Sequence, residues 1–165
     1  MAKKSPAAGP TTAATQALTL AGLAFVPHAY EHDAAVTEFG AEAAAALDLD
    51  AARVFKTLMV DTDAGLGIGI VPVNGKLDLK ALAQALGGKR AAMADPVVAE
   101  RKSGYVLGGI SPFGQKTALP MVLDDSALEF STIFVSGGRR GFDVEVSPAD
   151  LLAVTRGTTA TIRRL

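Results

Sequence analysis

Residues Gly104–Lys116, GYVLGGISPFGQK, gather four glycines, a Ser-Pro step and a lysine in a short loop. Gly108 and Gly109 lack a Cβ, so their backbone accepts positive φ and a ligand can come close to the amides. Pro112 fixes the following bend and pushes Ser111 toward an extended conformation. Such a loop can aim N–H groups at a carbonyl or phosphate oxygen, although the same glycines suit a plain structural turn. Ser111 has no base assigned to it in any Ser-His-Asp order.

A second chemical feature is Lys56 in VFKTLMV, residues 54–60. The run is apolar and β-branched on both faces, as in a buried strand. Val54, Lys56 and Leu58 share one face; Phe55, Thr57 and Met59 share the other. An ammonium in such a run is costly unless it is paired or employed; an edge-strand lysine that snorkels to water is the plainer alternative. In FVPHAYEHD, residues 25–33, Pro27 argues against a helix, and a strand there puts His28, Tyr30 and His32 on one face. Histidines four apart on a strand stand about 13 Å apart, too far to share one zinc. In SGGRRGFDVEVSP, residues 136–148, a glycine turn leads into a strand with Phe142, Val144 and Val146 inward and Asp143 and Glu145 on the other face. Asp143 and Ser136 on that hairpin can equally be surface residues.

The order HAYEHD, VFKTL, GYVLGGISPFGQK, SGGRRGFDVEVSP resembles the YbaK-type aminoacyl-tRNA deacylases, the free-standing Cys-tRNA(Pro) editing proteins. The likeness runs from about Thr11 to the C-terminus. It implies a single α/β domain over residues 11–165, with a mixed, strongly curved, barrel-like sheet surrounded by helices, after a flexible tail at 1–10. It also implies hydrolysis of the ester that joins a wrong amino acid to tRNA. The residues it points to are Lys56, Gly108, Gly109 and Asp143 for catalysis and Tyr30, Thr57, Ser111 and Ser136 for substrate binding, with no metal and no cofactor. The implied partners are the 3′ end of an aminoacylated tRNA and prolyl-tRNA synthetase. Alanine in place of cysteine, or a tRNA-end or nucleotide-binding module without turnover, are the alternatives.

Composition bounds these expectations. A chain of 165 residues suits one domain with a real core. It has no cysteine, hence no disulfide framework and no cysteine nucleophile. No apolar run is long enough to span a bilayer, and the start lacks the apolar stretch of a signal peptide, so a cytoplasmic location is expected. The net charge of −1 is not that of an avid nucleic-acid binder, yet the basic pairs Lys89-Arg90, Arg101-Lys102, Arg139-Arg140 and Arg163-Arg164 all fall in the second half.

The punctuation predicts helices from a Thr12 cap to Leu23, from a Thr37 cap to Leu47, over Leu77–Leu86, from the Asp95-Pro96 cap to Ser103, and from Ser147-Pro148 to Thr155. Strands are expected at the histidine segment, at Lys56, at Leu66–Val73 after an Asp63–Gly65 turn, at Leu119–Leu123, Ser131–Val135, Phe142–Val146 and Thr158–Ile162. Lys56→Ala is expected to abolish ester hydrolysis while leaving the fold intact. A deacylation assay beside a circular-dichroism melt checks this, and near-wild-type turnover would reduce Lys56 to a structural residue.

Overall fold

The structure is a computed structural model that describes residues 9–165; residues 1–8, most of the expected tail, lie outside the described residues. In chain order the elements are α1 (Ala13–Leu20), β1 (Val26–Ala29), α2 (Phe39–Ala46), β2 (Phe55–Thr62), β3 (Gly65–Pro72), β4 (Lys76–Leu77), α3 (Leu79–Ala85), β5 (Ala91–Met93), α4 (Pro96–Ser103), β6 (Met121–Asp124), β7 (Ile133–Arg139), β8 (Phe142–Val146), α5 (Pro148–Thr155), β9 (Thr158–Ala160) and β10 (Arg163–Arg164). Short 3-10 turns precede β2 and follow β6.

The helix starts follow their caps. Thr12 accepts from the Thr15 N–H while the Thr15 hydroxyl answers the Thr12 N–H. Asp78, Asp95 and Ser147 each accept from the first turn of their helices, with Pro96 and Pro148 just inside the last two. α1 stops at Leu20, short of the predicted Leu23. Thr37 does not cap α2, which begins at Phe39 after Glu38 with no side-chain cap. The preceding loop is tied down instead by Glu42, whose carboxylate takes the Asp33 N–H at 2.8 Å and His32 Nδ1 at 2.7 Å.

The main sheet has the order β5-β2-β3-β6-β9, antiparallel across β5-β2-β3 and parallel across β3-β6-β9. The second, β1-β8-β7, is antiparallel throughout, and β4 pairs with β10 as a small ribbon. The sheet is therefore mixed, as expected, but the barrel-like closure is not found. Closure needs a continuous ladder, and among the described residues the two larger sheets pair only at one parallel bridge, Val54 to Phe134, while β1, β5 and β9 remain edges. The short strands β4, β5 and β10 were not foreseen. They carry little period-2 signal, and their partners lie far away in sequence.

Phe55 and Met59 on one side of β2 join the main core with Ile110, Phe113, Phe142 and Val144; Leu58 and Val60 on the other side pack toward Leu82 and Ile162 under α3. No helix among the described residues is long and apolar enough to cross a membrane. The C-terminal segment is held by Asp124, 1 % exposed, whose Oδ1 accepts from the Ile162 and Arg163 N–H groups at 2.9 Å each and whose Oδ2 accepts from the Ser126 N–H at 3.2 Å. Removing a buried carboxylate that satisfies three amides leaves all three without partners. Asp124→Ala is expected to lower stability by about 2–4 kcal/mol in urea unfolding, with unchanged specific activity in the folded fraction because the residue lies outside the cavity described next.

Candidate active site

The bridge between the sheets determines where the chemistry gathers. Val54 and Phe134 pair in parallel, so Lys56 and Ser136, each two residues further on, turn to the same side as their strands separate. Asp143 is opposite Ser136 across β7-β8, and His28 is opposite Asp143 across β1-β8. β5 joins β2 only from Val60 onward, so the edge of β2 around Lys56 and Thr57 has no partner strand on the side away from β3. A cavity of about 460 Å³ opens along that edge, lined among others by Tyr30, Phe39, Lys56, Thr57, Gly108, Ile110, Ser136 and Asp143. A larger depression of about 770 Å³ beside α1 and Phe25 is lined by no ionisable side chain among the described residues.

Asp143 is the unusual group. It is 5 % exposed, its carboxylate accepts no hydrogen bond from the described residues, and it forms no ion pair with Lys56. Burial pushes its carboxyl up to about 7. Glu145, two residues along the same face, behaves oppositely. Burial alone would raise its carboxyl, but the Thr132 hydroxyl, His28 and the Arg53 charge outweigh burial and hold it below its ordinary value. His28 Nε2 lies 3.0 Å from Glu145 Oε1, and Thr132 donates to Oε2 at 2.5 Å. One carboxylate is fully employed by the fold; the other faces the cavity without a partner. Burial first, and then the Asp143 charge, push the Tyr30 hydroxyl up to about 12, so it remains a donor. The Thr57 hydroxyl is buried in the cavity wall with no partner among the described residues. Ser136 Oγ accepts from the Gly138 N–H at 3.1 Å inside the β7 bulge, which leaves its proton for the cavity.

The glycine loop divides the residues expected of it. Val106 to Gly109 forms a tight turn closed by the Gly109 N–H on Val106 O at 2.9 Å, with Gly108 at φ +84° in the third position, where a type II turn requires glycine. The Gly109 amide is thus consumed by the turn, whereas the Gly108 amide has no acceptor among the described residues. Gly109 is absent from the cavity wall, and a Cβ there would stand 2.7 Å from Arg139 Cα. Ser111 is fully buried; its Oγ accepts from the Phe113 N–H at 3.2 Å and it does not line the cavity. The structure therefore brings Tyr30, Lys56, Thr57, Gly108, Ser136 and Asp143 together and leaves Gly109 and Ser111 as supports of the loop. The expected strand through His28, Tyr30 and His32 ends at Ala29. His28 turns to Glu145 and His32 to Glu42, so Tyr30 alone of the three lines the cavity. Sequence reasoning missed Phe39, whose ring seats on Gly108 where a Cβ would collide at 2.7 Å; an aromatic at a helix start was its only local signal.

The sequence model of the family described as "Aminoacyl-tRNA editing domain" matches residues 33–154. This chain belongs to that family. It is 36% identical over 165 residues, 98% of either chain, to an Enterococcus faecalis protein named "Putative Cys-tRNA(Pro)/Cys-tRNA(Cys) deacylase EbsC". It is 31% identical over 98 residues, 59% of either chain, to the Escherichia coli K12 "Multifunctional Ser/Thr-tRNA deacylase ProXp-y". A crystal structure of "a putative trans-editing enzyme for prolyl tRNA synthetase" superposes with a TM-score of 0.79 at 26% identity, over 95% of this chain and 100% of that one. These relatives are thus named as hydrolases of an aminoacyl ester; the site holds no cysteine, and no hydrogen bond joins Ser136 to a base among the described residues.

The raised carboxyl of Asp143 has a consequence for stability. Its folded value is about 7 against an ordinary 3.8, so between those values the folded chain holds a proton that the unfolded chain has released. Stability associated with this group is therefore complete below about pH 4 and lost as pH rises through 7. Asp143→Asn is expected to be more stable than wild type at pH 8, by up to a few kcal/mol, with the gap closing toward pH 4. Urea unfolding at several pH values checks it; a gap that does not vary with pH would mean that the carboxyl is not perturbed.

Proposed function

We propose that the chain is a trans-editing hydrolase that deacylates mischarged Cys-tRNA(Pro), working beside prolyl-tRNA synthetase. The observation that carries this reading is a buried Asp143 carboxylate and Lys56, both without a charge partner among the described residues, lining one cavity that holds no cysteine. The carboxylate suits the α-ammonium of an aminoacyl ester, whose arrival restores the missing counter-charge. The Lys56 ammonium suits the terminal ribose and phosphate, or the negative charge that develops on the ester. The Gly108 N–H suits the carbonyl oxygen as it becomes an oxyanion. Tyr30, Thr57 and Ser136 supply hydroxyls around the amino-acid side chain.

In this reading the substrate supplies the nucleophile. The cysteinyl sulfur attacks its own ester carbonyl, a C–S bond forms, and the tetrahedral oxyanion collapses with cleavage of the bond to the ribose oxygen. That oxygen takes up the proton which the thiol gave up. Water then opens the resulting thiolactone to free cysteine, so the sum is ester plus water to amino acid plus tRNA. Holding both reacting groups of one molecule in place supplies much of the rate. A hydroxyl-bearing amino acid is the second reading, motivated by the unpartnered Thr57 hydroxyl in the cavity wall.

Cys-, Ser- and Ala-tRNA(Pro) at equal, subsaturating concentration separate these readings. A thiol with a pKa of about 8.5 is a few per cent thiolate near neutrality, a hydroxyl essentially never. Cysteine is expected fastest, serine much slower and alanine slowest or inert. Equal rates for alanine and cysteine would mean that the protein activates water, and a serine rate above cysteine would favour the second reading.

A further inference from the structure

Arg140 is exposed, yet it is held in a fixed pose. Its Nε donates to Leu107 O at 2.7 Å, and its guanidinium carbon stands 4.8 Å from the centroid of the Phe39 ring. Leu107 is itself fixed, because its N–H donates to Glu100 Oε2 at 2.9 Å. Leu107 and Phe39 both line the active-site cavity, so the guanidinium lies over two of its wall residues. The missing Cβ of Gly109 lets the turn at residues 139–140 rest directly against the glycine loop, and that contact brings Arg140 over Leu107. No carboxylate among the described residues pairs with Arg140, and neither of its terminal nitrogens donates a hydrogen bond. Arg139 beside it is equally exposed and has no side-chain partner among the described residues.

A surface arginine ordinarily retains its rotamer freedom. One held over an aromatic ring, tethered through Nε, and left with no carboxylate partner among the described residues presents a ready fork of donors. That combination fits a phosphodiester beside an unstacked base. Resting on the deacylase reading above, we propose that Arg140 is the docking plate for the single-stranded 3′ end of the RNA. Its terminal nitrogens hold a phosphodiester next to the last nucleotide and its outer face meets a base, so that the ester passes Gly108 into the cavity. In this role Arg140 is a positioning residue, and Phe39, Leu107 and Gly109 set its pose.

Binding of uncharged RNA tests this without any chemistry. Fluorescence anisotropy would compare a minihelix ending in a single-stranded ACCA overhang with the same duplex cut blunt, over a range of salt. Arg140→Ala is expected to weaken overhang binding about tenfold and to reduce the salt slope by about 0.7, with the blunt duplex little changed. Arg140→Lys, which keeps the charge but loses the plane and fork, should fall between wild type and Arg140→Ala. Gly109→Ala, which shifts the turn under Arg140, should weaken overhang binding as well. Arg139→Ala should affect both RNAs alike and by less. Unchanged overhang affinity in Arg140→Ala, or the same loss on both RNAs, would overturn the proposal; should Arg140→Ala fail to melt as a folded protein, the lysine variant decides in the same way. The deacylase reading fails separately, if the wild type hydrolyses no aminoacyl-tRNA while the overhang preference persists.

Discussion

The functional geometry depends on one backbone contact, the parallel bridge from Val54 to Phe134. It aligns two sheets that otherwise have separate hydrogen-bond ladders, and Lys56 and Ser136, each two residues beyond it, both line the cavity. Beyond the bridge the strands separate, and the unpaired edge of β2 becomes a wall of the cavity. An unpaired edge exposes backbone donors and acceptors, which is ordinarily a liability. Here it faces a cavity flanked by the glycine loop and by Phe39, so another strand has little room to pair with it.

The same space explains the two carboxylates of β8. Glu145 and Asp143 alternate onto one face and differ in chain position by a single pleat, yet the fold neutralises one and leaves the other without a partner. Thr132, His28 and Arg53 surround Glu145, which lies toward the end of the sheet where Arg53 also stacks over Phe134 at 5.0 Å. Asp143 lies where the sheets diverge, and no side chain among the described residues donates to it or pairs with it. A buried charge without a partner is a standing cost to the folded state, and such costs concentrate where a ligand completes the site. The fold supports that cost with satisfied groups elsewhere, Asp124 and the three amides it holds among them.

The glycine loop is a positioning device before it is a chemical one. It leaves α4 at Gly104, and its far end returns to the same helix through the Lys116 N–H on Ser103 O and the Thr117 N–H on Lys102 O at 2.9 Å each. Phe113 is 1 % exposed in the main core, and the Tyr105 hydroxyl donates to its carbonyl. With so many of its groups engaged, the loop has little freedom left, and the Gly108 amide remains as a donor that the loop does not use internally. Gly109 serves a different neighbour, the turn that carries Arg139 and Arg140.

Local chemistry was legible in the chain. The caps at Thr12, Asp95 and Ser147 and the two faces of Phe142–Val146 depend on residues a few positions apart, and the structure places them as read; the Asp63–Gly65 turn is there too, one residue shorter because Gly65 already pairs with Thr62. Lys56 in an apolar strand and glycines in a loop marked two sides of the site for the same reason. The sequence could not say that Ser111 turns inward to Phe113, that the Gly109 amide is spent on Val106, or that His28 and His32 each find a glutamate away from the cavity. Nor could it separate Arg139 from Arg140, or Asp143 from Glu145, since each pair is alike in type and setting along the chain. Those distinctions are settled by which distant groups arrive opposite them. Periodicity, caps and turn types are short-range properties that a sequence determines by itself; whether a polar group is satisfied or left waiting for a ligand is decided only when strands distant in the sequence come into register.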